Sequence, residues 1–161
     1  MLGCLFALVC VLSLSTSAVG DIPQVNEPLV RAEGRARMVY AMAHRDFEIP
    51  RVLDYTLTAV GSQILQDMFG GHGAPQAVTY PNGHIYIDQR LDYADVYVET
   101  ILEHELIHVL QYLHKGPIRS CQEWLARETE AYLAQAQQLD AMHDVRGMMV
   151  RRTLASLRCN D

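Results

Sequence analysis

The run His104-Glu105-Leu106-Ile107-His108 constrains this chain more than any other stretch of it. It sits within Tyr93 to Lys115, where Val96, Val98, Ile101, Leu102, Leu106, Ile107, Val109, Leu110 and Leu113 are apolar nearly all round a helix. A helix of that kind is expected to be buried in its domain. Residues four apart on a helix lie one turn apart on the same face, so His104 and His108 present both imidazoles to one point. Histidines and a glutamate in such a setting need partners, because a polar group taken out of water without one is costly. A metal ion is such a partner. Zinc suits imidazole, and a catalytic zinc takes three protein ligands and keeps a fourth position for water. Glu105, beside the first ligand, is placed to take a proton from that water as general base.

A third ligand is expected downstream, on an element that packs against this helix. Glu123, Glu128 and Glu130 all fall on the next helical segment, about Cys121 to Met142. Glu128 shares its face with Cys121, Trp124, Leu125, Ala131, Tyr132 and Leu139, so it is a carboxylate set in an apolar stripe. Glu123 and Glu130 fall on the other side with Arg127 and Gln137 and read as solvated charges. The order of expectation is Glu128, then Glu130, then Glu123.

The pattern from His104 to His108, then nineteen residues, then Glu128, resembles the glutamate-zincin metallopeptidases. The run Glu128-Thr129-Glu130-Ala131-Tyr132 is similar to a form of the glutamate-helix motif found in small and membrane members of that clan. The resemblance spans about Ile85 to Leu139. It implies a zinc-dependent peptidase, with Zn²⁺ held by His104, His108 and Glu128, Glu105 as catalytic base and a peptide or protein as substrate. It also implies an edge strand above the cleft at Ile85, Tyr86 and Ile87, ending at Asp88, which would bind an extended peptide by backbone pairing. Tyr132 stands where that clan commonly has an acidic residue orienting a ligating histidine. One turn past Glu128, Tyr132 is read either as a hydrogen-bonding group for the site or a developing oxyanion, or as a core packing residue.

The remaining chain frames this site. Met1 to Gly20 has no charged side chain, an apolar Leu2 to Leu14 and a small-residue end at Ser15 to Gly20. That is the layout of a signal peptide cut before Asp21, and about 13 apolar residues is short for a membrane span of roughly 20. Residues 21–161 then form one domain of a size that buries its own core, exported to a secreted or periplasmic setting with no stable membrane span. The net charge of −6 carries no Lys/Arg run, which argues against nucleic acid as a partner. Cys4 and Cys10 leave with the signal, and Cys121 and Cys159 remain as a candidate disulfide.

Helices are expected over Leu29–His44, Asp54–Met68, Tyr93–Lys115 with Asp92 as N-cap, Cys121–Met142 and Asp144–Leu157. Two strands, Gln76–Tyr80 and His84–Asp88, flank the turn Pro81-Asn82-Gly83. The class is α+β, mostly helical, with a small sheet. His72, in a Gly-rich loop, reads as a solvated histidine or a lid residue, and His114 as complementing the dipole of its helix end. The competing expectation is a non-catalytic zinc-binding module for protein interaction. Glu105 separates the two, because a purely structural site has no need of a base beside its first ligand.

Overall fold

Helix α3 (Val96–Lys115) is buried without a break from Val98 to Gln111, and the other elements are arranged around it. The computed structural model describes residues 26–69 and 74–159; the expected signal segment and His72 lie outside them. Helix α1 (Asn26–Ala43) packs along one side of α3, α4 (Cys121–Ala141) along another, and a small sheet covers part of the remainder. Helix α5 (Arg146–Ser156) rests on α4. The fold is thus α+β and mostly helical.

α3 starts later than the sequence indicates. Asp95 rather than Asp92 is its N-cap, accepting from the Tyr97 N–H at 2.9 Å. Asp92 caps the preceding turn, accepting from the Ala94 N–H. The stop at Gly116 is as expected: its φ of 71° is a conformation that suits glycine.

The segment expected as a helix over Asp54–Met68 is instead strand β1 (Thr56–Val60) followed by the short helix α2 (Ser62–Met68). Its apolar residues fit helical spacing, but Thr56, Thr58 and Val60 are β-branched, and the run gains a full parallel pairing with β3 (His84–Asp88). That long-range pairing overrides the local pattern. β2 (Ala77–Thr79) runs antiparallel to β3 across the expected turn. Gly83 closes this turn at φ 80°, where a Cβ would lie 2.6 Å from the Asp54 carbonyl oxygen.

The sheet order is β1-β3-β2. β3 therefore has a partner on both sides, and the expectation that Ile85, Tyr86 and Ile87 form the substrate edge is corrected. Their backbone groups are already committed to β1 and β2, and Ile85 and Ile87 point into the core. The edge beside α3 belongs to β2.

α1 meets α3 through Ala32, Ala36 and Tyr40, spaced one turn apart and fully buried. Small side chains let the two helices approach closely. Arg31 pairs with Glu99 at 2.8 Å, and Arg35 pairs with Glu99 and, at 3.1 Å, with Glu103. Burial raises the Glu103 carboxyl to about 7, against the opposing pull of Arg35. At the other end of the chain a disulfide joins Cys121 to Cys159, with Cα atoms 5.7 Å apart, tying the start of α4 to the segment after α5. No helix among the described residues is long and apolar enough to cross a membrane.

Candidate metal centre

One turn of α3 sets His104 and His108 side by side, with their Nε2 atoms 3.1 Å apart. α4 crosses α3 at this level and brings the Glu128 carboxylate opposite them, 3.5 Å from His104 Nε2 and 3.4 Å from His108 Nε2. All the donor atoms lie within 4.8 Å of one another. Both histidines are buried and Glu128 is largely so. The three side chains expected as ligands are thus brought together in one buried group that could hold a metal ion.

The donor set fits a cation. Two imidazole nitrogens this close cannot both point lone pairs at each other without a positive centre between or beside them, and a carboxylate faces the same space. Burial disfavours a charged His108, yet hydrogen bonding and attraction to Glu128 lift its imidazolium to about 9. Burial would raise the Glu128 carboxyl, but His104 and His108 hold it well below the usual range. The pocket thus favours positive charge opposite the carboxylate.

Glu105 is buried one residue beyond His104, and its Oε2 accepts a hydrogen bond from Thr79 Oγ1 at 2.6 Å. Thr79 ends β2, so the edge strand and the candidate base are in direct contact. His108 Nδ1 lies 2.8 Å from Gln111 Oε1, whereas His104 Nδ1 is buried with no hydrogen-bond partner among the described residues. The Tyr132 ring packs against His104, with centroids 4.4 Å apart and planes at 67°. Burial pushes its phenol well above the ordinary value.

The alternative ligands are occupied elsewhere. Glu130 accepts from Gln111 Nε2 at 2.9 Å and lies 2.6 Å from His44 Nε2. Glu123 pairs with Arg127 and accepts from the Arg119 N–H. Neither is a freely solvated charge, and Arg127 is buried: it donates to the Gly116 carbonyl at 2.8 Å and stands over the Tyr112 ring. His114 does not stand free at its helix end. It stacks on Phe47 at 4.4 Å and meets the Tyr40 hydroxyl at 3.1 Å.

The group opens into a cleft of about 660 Å³. Ala77, Val78 and Thr79 form one wall, and Trp124, Met149 and Leu157 contribute to another. Among the described residues, Glu105 and Glu128 are the only carboxylates that line it, and no Lys or Arg does. Sequence reasoning missed Thr79, Gln111 and the β2 edge. Gln111 was open to detection, since it lies three residues past His108 on the same helix face; Thr79 reaches Glu105 only through the tertiary fold.

No protein-family model matches the chain, and comparison with curated proteins and with solved structures finds no match either.

Proposed function

We propose that this chain is an exported zinc metallopeptidase of the glutamate-zincin kind, with Zn²⁺ held by His104, His108 and Glu128. One observation carries the reading: a buried carboxylate, Glu105, stands beside the three-ligand group inside an open cleft, bonded to a single threonine of the edge strand. A purely structural metal site gives such a group no task.

Bound zinc supplies a Lewis acid that polarises a carbonyl oxygen and acidifies water. Glu105 accepts the proton of the attacking water and returns it to the leaving amine. Thr79 fixes the rotamer in which the Glu105 carboxylate can do so. Among the described residues the outer edge of β2 pairs with no strand, and it offers backbone groups to an extended peptide, a common mode of peptide capture. Among the described residues the cleft walls are largely apolar and carry no Lys or Arg, which favours uncharged or apolar side chains next to the scissile bond. The disulfide agrees with an oxidising, extracytoplasmic setting.

The test is metal analysis of the purified protein together with cleavage of a mixed peptide library, parent against Glu105→Gln. Stoichiometric zinc in both, with cleavage by the variant lowered roughly 10²–10⁴-fold, is the expected result. Zinc in both with indistinguishable cleavage profiles would refute the peptidase and leave the non-catalytic zinc-binding interaction module.

A further inference from the structure

The two histidines are held very differently from behind. His104 Nδ1 has no hydrogen-bond partner among the described residues. His108 Nδ1 faces Gln111 Oε1, and Gln111 is wholly buried. Two neighbours settle which end of that amide faces the histidine. Gln111 Nε2 lies 3.1 Å from the Arg127 carbonyl oxygen and 2.9 Å from Glu130 Oε2. Both neighbours are acceptors only, so the NH₂ group must face them and the amide oxygen must face His108. An oxygen there demands a proton on Nδ1. In the neutral ring the His108 Nε2 lone pair is thereby left for the space it shares with His104 and Glu128.

Glu130 is itself fixed. His44, from the end of α1, approaches its Oε1 at 2.6 Å, and Lys115 lies 3.7 Å from Oε2. A carboxylate accepting from one end of an amide also strengthens the acceptor at the other end, because hydrogen bonds in a chain polarise one another.

We propose that Gln111 and Glu130 are positioning residues that hold His108 as the Nδ1–H tautomer and so set the affinity of the site for zinc; this rests on the zinc reading above. Neither residue is a ligand. Without Glu130 the amide loses one of the two acceptors that orient it, and a turned amide presents NH₂ to Nδ1. The imidazole proton then moves to Nε2, the atom that must bind the metal. Groups behind a ligand that fix its tautomer commonly change metal affinity by roughly 10–100-fold.

The experiment measures zinc affinity by competition with a chelator, and thermal unfolding of the zinc-free protein, for four proteins. These are the parent, Gln111→Leu, Glu130→Leu, and the exchanged pair Gln111→Glu with Glu130→Gln. The exchanged pair keeps a carboxylate oxygen facing His108 and an amide donating to it from behind, and gives up the donation to the Arg127 carbonyl. Gln111→Leu is expected to weaken zinc binding roughly 10–100-fold, Glu130→Leu less, and the exchanged pair to recover part of the loss. If the parent binds zinc and Gln111→Leu binds it equally well, the proposal is wrong and the zinc reading stands. An exchanged pair that folds like the parent yet binds zinc as poorly as Gln111→Leu also overturns it, as does a loss of affinity that merely tracks the unfolding temperature across all variants. A parent with no stoichiometric zinc removes both readings.

Discussion

Thr79 and Glu105 meet across the largest change of context in the site, a strand end against a buried helix. The 2.6 Å contact gives Glu105 a charge-assisted hydrogen bond. Its geometry holds the carboxylate on the side of α3 that faces the cleft. Thr79→Val removes the donor at nearly constant volume. Since a hydrogen bond to a charged group nets about 1.5–3 kcal/mol, kcat/KM of the proposed peptidase is expected to fall roughly 10–100-fold while zinc content stays at the parent value. Steady-state kinetics with metal analysis on the same preparation checks both. Loss of zinc with the activity would mean that Thr79 supports the helix and not the base. His104, Glu105 and His108 were legible in the sequence because their relation is local, fixed by the helical turn itself. Glu128 was legible because a carboxylate in an apolar stripe must point inward. Thr79 was not, since nothing within a few residues of it carries the information.

At the scale of elements, the clearest junction is Arg146, at the start of α5. It reaches the N-cap of α3, with Asp95 carboxylate oxygens at 2.6 and 2.9 Å, bonds Asp144, and stands 4.7 Å over the Tyr97 ring. Hydrogen bonds from Arg146 hold the Asp144 carboxyl down to about 2 and place Asp95 below its ordinary value too. A carboxyl lowered in the folded state adds stability that is present above its ordinary value of 3.8 and is lost as pH falls through about 2. The melting-temperature gap between the parent and Arg146→Met is therefore expected to be steady from neutral pH down to about 5 and to close towards pH 2. A gap that instead grows on acidification would show that these carboxylates do not depend on Arg146. The same scale shows where pattern reading failed. β1 carries Leu57 and Val60 at a spacing that also suits a helix, and only its pairing with β3 decides the matter. In α1 the conspicuous apolar residues Val30, Met38 and Met42 are exposed, while the contact with α3 is made by small Ala32 and Ala36. A close helix crossing selects for small volume, which a hydrophobicity pattern does not register.

Taken whole, the molecule holds the floor and the wall of its cleft by different means. The floor is α3, buried on every side, with Glu128 brought to it by the α3–α4 contact. The wall formed by α5 and the segment after it rests mainly on α4, and the Cys121–Cys159 bond clamps its far end. Leu157, two residues before that cysteine, and Trp124, three residues after the other, both face the cleft. Closing a loop of roughly 39 residues stabilises a fold by about 4 kcal/mol in the chain-entropy model. The double substitution Cys121→Ser with Cys159→Ser is thus expected to lower unfolding free energy by up to that amount, measured by denaturant titration. Its kinetic effect should be selective. On the proposed reading the candidate ligands and Glu105 keep their places through the α3–α4 contact, so zinc content and kcat should be retained, while a loosened wall should raise KM for peptides that reach Trp124 and Leu157. The parent under a mild reductant should behave the same way if the bond is accessible. A variant that loses zinc together with its disulfide would show that the α3–α4 contact does not set the position of Glu128 by itself, and that floor and wall are one cooperative unit.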